Sequence, residues 1–159
     1  MTTSFDPFAV APKEIKAWYA AATAADVPLE SSLAELVKMR ASQINQCANC
    51  LNMHSADARA AGETEQRLFL VSAWREAPCY TDRERAALAW TEALTRLSEG
   101  HSHGAALEAL RAHFTEAEQV QLTLLINIIN GWNRLAVAFD MWLETPATKA
   151  RDAAQAKAA

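Results

Sequence analysis

Apolar residues recur along this chain of 159 residues at the three- and four-residue intervals that amphipathic helices show. Between residues 30 and 46 they form one mostly apolar helix face, made of Leu33, Leu36, Val37, Met39 and Ile44. Clusters of β-branched residues are few, and glycine occurs only four times. This pattern predicts an all-α fold of seven to eight helices and no strand.

Start and stop residues divide the pattern into separate helices. Thr81 with Glu84, and Thr115 with Glu118, have the spacing of capping boxes, in which each side chain bonds the other residue's backbone N–H. The expected helices cover residues 8–25, 30–46, 47–61, 65–74, 81–98, 105–113 and 116–143.

Length and composition fit one globular domain. The chain is 51% apolar and 21% charged, which is typical of a folded protein rather than a disordered one. Residues 1–145 are predicted to form a single helical domain, and residues 146–159 a solvated or frayed tail.

Charge and hydropathy argue against two classes of partner. The net charge is −4 and no basic stripe is present, so nucleic-acid binding is not expected. The N-terminal residues lack the order of a secretion signal, which favours a cytoplasmic protein. Membrane insertion is not expected either, because polar residues interrupt the most apolar stretch: Asn127, Asn130, Asn133 and Arg134.

Cys47, Cys50 and His54 form the segment with the clearest chemistry. Each helical residue turns by about 100°, so the three side chains share one face within roughly 60°. Cysteines at i and i+3 can form a disulfide, and a helix N-terminus favours a thiolate. His54 can accept or relay protons near neutral pH. Position alone leaves the more reactive thiol open, since Cys47 lies nearer the helix start.

Glu35 reaches this segment only if the chain folds back. In one straight helix it would lie roughly 18 Å from Cys47 along the axis. Asn45 and Gln46 are the expected break, since asparagine is common at helix ends.

These residues resemble the active-site signature of the AhpD-like alkylhydroperoxidases in the carboxymuconolactone decarboxylase family. The shared pattern is Glu35, then a CxxC at Cys47 and Cys50, then His54. Segments 82–95 and 130–137 are also similar to that family. The resemblance extends over about residues 33–139.

The resemblance implies a helical thiol peroxidase without a cofactor or a metal. Cys50 would attack a hydroperoxide, Cys47 would resolve the sulfenic acid as a disulfide, and His54 with Glu35 would relay protons. An external dithiol or disulfide reductase would donate electrons. The resemblance also implies a homotrimer or homohexamer.

Asn49 departs from the best-studied pattern of this family, which has a second histidine directly before the second cysteine. An amide hydrogen-bonds but does not shuttle protons near neutral pH. The proton relay is therefore expected to be shorter here, which bears on the peroxidase rate more than on redox chemistry.

Other interpretations of the CxxC remain open. It could bind a metal with Cys79, His101 or His103 as a further ligand, or be an inert pair. At the level of function, the alternatives are a redox sensor whose disulfide changes its assembly and a thiol–disulfide relay that does not meet peroxide. Asn127, Asn130 and Asn133 are expected to form structural hydrogen bonds, because buried amides need partners.

Overall fold

Eight α-helices and two 3₁₀ turns make up the regular backbone of the residues that the structure describes. The structure is a computed structural model that describes residues 5–26, 29–101, 103–144 and 149. The helices are α1 (Pro7–Val10), α2 (Pro12–Asp26), α3 (Ser31–Ile44), α4 (Ala48–Ala60), α5 (Glu65–Leu70), α6 (Asp82–Thr95), α7 (Gly104–His113) and α8 (Glu116–Ala138). The 3₁₀ turns are Val71–Ala73 and Leu97–Glu99. No strand occurs in these described ranges, and the predicted all-α fold is confirmed.

Both predicted capping boxes are formed. Thr81 Oγ1 accepts the N–H of Glu84 at 3.2 Å, and the Glu84 carboxylate accepts the N–H of Thr81 at 2.8 Å. Thr115 and Glu118 make the same reciprocal pair at the start of α8. These bonds satisfy N–H groups that have no partner inside the first helical turn.

The first predicted helix, 8–25, is wrong as one element, because it is divided at Ala11. α1 ends at Val10, and Ala11 has a non-helical backbone with φ −128° and ψ 57°. Pro12 then opens α2. A proline disfavours helical backbone in the residue before it but suits the first position of a new helix, so the chain breaks there.

Three predicted helix ends extend too far. α5 stops at Leu70 and α6 at Thr95, each followed by a 3₁₀ turn. α8 stops at Ala138 rather than 143, since Asp140 has a left-handed backbone with φ 48°. The predicted tail, 146–159, lies outside the described residues apart from Lys149.

α3 lies at the centre of the fold and contacts α4, α6 and α8. Its apolar side chains are buried with those of α6, α7 and α8, among them Leu33, Val37, Ala87, Leu122 and Ile126. Because α3 is buried along most of its length, three of its polar residues are also buried, namely Lys38, Arg40 and Ser42. No described helix is both long enough and apolar enough to cross a bilayer.

Gly131 allows α2 to pack closely on α8. A Cβ at this position would overlap the ring of Trp18 on α2. We expect Gly131→Ala to lower the free energy of unfolding by about 1–3 kcal/mol, because overpacking outweighs the better helix propensity of alanine. Urea titration measures this difference.

Gly104 provides the matched control for that substitution. It opens α7, and no atom lies within 4 Å of a Cβ built there. Gly104→Ala should leave stability unchanged or raise it slightly. Equal stability of Gly131→Ala and wild type would show that Trp18 does not pack against Gly131.

Candidate active site

A sharp break between α3 and α4 folds the second helix back onto the first. Asn45 caps α3, Gln46 is left-handed with φ 54°, and Cys47 is extended. Asn45 Nδ2 donates to the side-chain oxygens of Asn130 and Asn133 at 2.9 and 2.8 Å. The break predicted at Asn45 and Gln46 is present, and hydrogen bonds from α8 hold it.

The α8 asparagines differ in their surroundings. Asn133 is buried and donates to Ser42 Oγ at 3.1 Å. Asn130 is also buried and donates to Thr95 Oγ1 at 3.0 Å. These two form the structural hydrogen bonds expected of them, whereas Asn127 is exposed.

Cys47 and Cys50 form a disulfide at the start of α4, with their Cα atoms 5.4 Å apart. Cys47 is the N-cap residue, and its Sγ accepts the backbone N–H of Cys50 at 3.3 Å. The two residues are only 1% and 4% exposed. The free N–H groups and the dipole of the helix favour negative sulfur here once the pair is reduced.

Glu35 contacts His54 from the neighbouring helix. Glu35 Oε2 lies 3.0 Å from His54 Nδ1, and Glu35 Oε1 accepts from Lys38 Nζ at 2.9 Å. All three side chains are mostly buried, at 13%, 12% and 11% exposure respectively. The fold thus brings together four residues that the sequence pattern singled out, and it adds Lys38.

Two opposing effects act on the pKa of Glu35. Burial alone raises it, but the hydrogen bond and charge of His54, together with Lys38, hold this pKa below its ordinary value of 4.5. An ionised carboxylate only accepts hydrogen bonds, so the proton between the two groups resides on His54 Nδ1. The second ring nitrogen, Nε2, is then the one left to hydrogen-bond a ligand.

A cleft of about 720 Å³ opens beside these groups. Cys50, His54 and Glu35 line one part of it. Most of the remaining wall is apolar and comes from α1, α2 and α8, including Phe8, Tyr19, Leu125, Ile129 and Trp132. Such a cleft suits a small organic molecule with a reactive group turned toward Cys50.

The residues after α8 close another side of the cleft. Met141, Trp142 and Leu143, here called the strap, line it and lie against α4. Asn49 Oδ1 accepts the backbone N–H of Leu143 at 2.6 Å. Asn49, which stands where the AhpD-like pattern has a second histidine, therefore holds the strap.

A metal site at the CxxC was one of the interpretations left open. The potential metal ligands that the described residues bring within 4.8 Å of one another are instead Glu35, His54 and Asp57. Lys38 already places a positive charge 2.9 Å from Glu35. That charge opposes a cation, so the arrangement suits proton transfer better than metal binding.

The sequence analysis missed several site residues. Lys38 was detectable in principle, since it stands three residues after Glu35 on one helix. The contacts of Asn49 and Asn52 with Leu143 span more than 90 residues. No local pattern encodes such a contact.

These features define a class of all-α proteins in which a buried CxxC and a histidine–carboxylate pair lie at one apolar cleft. The chain belongs to the carboxymuconolactone decarboxylase family, whose model matches residues 12–93. The uncharacterized protein YdfG of Bacillus subtilis is 43% identical over 104 residues, which cover 65% of this chain and 71% of YdfG.

Solved structures place the chain beside AhpD-like proteins. ATU0492 of Agrobacterium tumefaciens, a protein of unknown function whose name associates it with AhpD and antioxidant defence, is 40% identical with a TM-score of 0.86. The match covers 91% of this chain and 99% of ATU0492. The debrominase Bmp8 has a TM-score of 0.78 at 21% identity, covering 90% of this chain and 77% of Bmp8, a likeness of fold alone.

Proposed function

We propose that this protein is a dithiol-dependent peroxidase that reduces hydroperoxides through Cys50 and Cys47. One observation carries the proposal. Cys50 lines the same apolar cleft as His54, whose Nδ1 lies 3.0 Å from the Glu35 carboxylate. A thiol, a proton donor and a place for an organic substrate are thereby combined at one site.

In the first step, the Cys50 thiolate attacks the terminal oxygen of ROOH. The S–O bond forms as the O–O bond breaks, and the departing alkoxide takes a proton from His54 Nε2 to leave as ROH. Glu35 stabilises the positive imidazolium before this transfer, since it is an ionised partner at Nδ1. The product on Cys50 is a sulfenic acid.

In the second step, the Cys47 thiolate attacks the sulfenic sulfur of Cys50. The S–S bond forms, the S–O bond breaks, and hydroxide leaves as water after taking up a proton from solvent. The two residues are placed for this bond, because they form a disulfide in this fold with their Cα atoms 5.4 Å apart. An external dithiol then reduces the disulfide, so one ROOH and one dithiol yield ROH, water and one new disulfide.

Proton delivery matters because thiol ionisation contributes little by itself. Lowering a thiol pKa from about 8.5 to about 6.5 raises the thiolate fraction at pH 7 about 25-fold. The less basic thiolate is roughly 8-fold less nucleophilic, so the net gain is only about 3-fold. Protonation of the leaving oxygen supplies a larger factor, about 10²–10⁴.

The two cysteines have different surroundings, which supports different roles. Cys50 lines the cleft and is placed to meet the substrate. Cys47 Sγ accepts the N–H of Cys50 at 3.3 Å, which favours a thiolate ready to resolve the sulfenic acid. We assign Cys50 as the peroxidatic cysteine and Cys47 as the resolving one.

The cellular setting follows from the same proposal. A low-molecular-weight dithiol or a disulfide reductase supplies the electrons, and the cytoplasm is the compartment that maintains such donors.

Exposed apolar residues on α8, including Val120, Leu124 and Val137, would be covered in a homotrimer or homohexamer.

A thiol–disulfide relay is the second candidate, and Asn49 is the observation that favours it. Its amide oxygen accepts the backbone N–H of Leu143. An amide neither gains nor loses a proton near neutral pH. His54 is then the one histidine that α4 offers to the leaving oxygen beside Cys50. A relay would exchange disulfides with a partner and react slowly with hydroperoxide.

Stopped-flow mixing of the reduced protein with cumene hydroperoxide separates these functions. A peroxidase should react about a hundredfold faster than a small dithiol with the same thiolate fraction, because of the proton donor. With excess dithiol, turnover should continue until the hydroperoxide is consumed. A reaction no faster than that of the small dithiol, together with rapid disulfide exchange, would identify a relay.

A further inference from the structure

The strap, Met141–Leu143, returns across α4 because the chain turns sharply after α8. Asp140 adopts a left-handed backbone with φ 48°, and the N–H of Met141 donates to the carbonyl of Ala136 at 2.9 Å. This is the geometry with which many helices end, and it reverses the chain direction. The side chain of Met141 then packs against Cys47, Cys50 and Ala136.

Two asparagines of α4 hold the strap through one residue. The N–H of Leu143 donates to Asn49 Oδ1 at 2.6 Å, and its carbonyl accepts from Asn52 Nδ2 at 2.7 Å. Asn49 and Asn52 stand three residues apart, so both face the same side of the helix. Both backbone polar groups of Leu143 are thus bound to side chains of the helix that carries the cysteines.

The strap supplies apolar surface to the cleft without supplying a reacting group. Trp142 and Leu143 line the cleft, yet the two residues are 55% and 54% exposed. That exposed surface is available to a bound molecule. Hydrogen peroxide has only two heavy atoms and no apolar part, so it gains little from an apolar wall in a cleft of about 720 Å³.

We propose that Asn49 and Asn52 are positioning residues that set substrate selectivity: by fixing Leu143 they hold the strap as a wall that recognises the apolar part of an organic hydroperoxide. This inference rests on the proposed peroxidase function. The strap favours a bulky apolar hydroperoxide over hydrogen peroxide, and the asparagines act on the ratio of the two rates. The chemistry at Cys50 is the same for both substrates.

Asn52→Asp is the most direct test, because it keeps the size of the side chain and removes the donor to Leu143. Second-order rate constants are measured for reduced protein with cumene hydroperoxide and with hydrogen peroxide. We expect the ratio of the first to the second to fall about tenfold, the effect of losing about 55 Å² of apolar contact. The hydrogen peroxide constant should stay unchanged.

Asn127→Asp is the matched control, since Asn127 is exposed on α8 and does not line the cleft. It should leave both rate constants at wild-type values. Asn49→Leu, which removes the acceptor of the Leu143 N–H, should lower the ratio in the same way as Asn52→Asp. A ratio equal to that of wild type, whether or not the two rate constants fall together, would overturn the selectivity role.

A measurement without chemistry distinguishes failure of this inference from failure of the peroxidase proposal. Cumyl alcohol, the product of cumene hydroperoxide reduction, is titrated into the disulfide form while hydrogen exchange of the Leu143 amide is followed. In Asn52→Asp we expect about tenfold weaker binding and faster exchange. If wild type reduces neither hydroperoxide, the peroxidase proposal fails. Weaker binding of cumyl alcohol by the variant would still support the positioning role of Asn52. Equal binding by the variant and wild type would overturn that role.

Discussion

Cys50→Ser should abolish hydroperoxide reduction, with a rate constant at least about a thousandfold below that of wild type. Serine is not ionised at neutral pH, so no nucleophile remains where the cleft meets α4. Cys50 is 4% exposed and lies at the start of a helix, and serine is close in size and suits that part of a helix. Stopped-flow assays of the reduced variant measure the loss.

Cys47→Ser should behave differently from Cys50→Ser. Cys50 still reacts with one equivalent of hydroperoxide, but the sulfenic acid persists because no resolving thiol is present. A sulfenic-acid trapping reagent and mass spectrometry count one adduct per chain. Cys79→Ser is the control, since Cys79 is free and partly exposed, and it should retain full turnover.

The opposite pattern in the two variants would exchange the roles of the cysteines. A sulfenic acid on Cys47 in Cys50→Ser, with no reaction in Cys47→Ser, would identify the residue nearer the helix start as the peroxidatic one. Turnover that survives either substitution would remove the CxxC from the mechanism.

His54→Gln should slow the reaction with cumene hydroperoxide by about 10²–10³, because no group then protonates the leaving alkoxide. Glutamine fills similar space, but its amide does not ionise near pH 7 and cannot replace the imidazolium as a proton donor. His113→Gln is the control, since His113 is exposed at the end of α7.

Glu35→Gln should have a smaller effect of about tenfold, since it removes the charge that orients His54 but not the imidazole. A change in the pH profile, rather than a loss of folded protein, would mark this role. The corresponding Glu108→Gln on the exposed side of α7 should not alter the rate. An unchanged rate in both Glu35→Gln and His54→Gln would exclude the proposed proton relay through these two residues.

The stability of Glu35→Gln at low pH provides a second check on the site. The pKa of Glu35 in the folded protein lies below its ordinary value of 4.5. Its ionised form therefore stabilises the fold above that value, and this contribution is lost as pH falls through the folded pKa. Glu35→Gln lacks this component, so its unfolding free energy should fall less steeply than that of wild type below about pH 4.5.

Short-range patterns indicated which residues form the candidate site and where most helices begin. The capping boxes at Thr81 and Thr115 depend on residues three apart, and helix geometry alone places Cys47, Cys50 and His54 on one face. Asn45 and Gln46 indicated that Glu35 could reach His54. Helix ends were less well predicted, because Asp140 adopts a left-handed backbone where Met141 packs against the cysteines.

Only the tertiary structure decided what surrounds these groups. Asn130 and Asn133 bind Asn45 from α8, and Asn49 binds Leu143, over separations of 85 to 94 residues. The walls of the cleft come from α1, α2, α8 and the strap, which no sequence interval relates to α4. The sequence by itself determined the chemistry available at Cys50, because side-chain type and helical spacing are local properties. The shape of the cleft, and the partners that hold it, were decided by packing between distant helices.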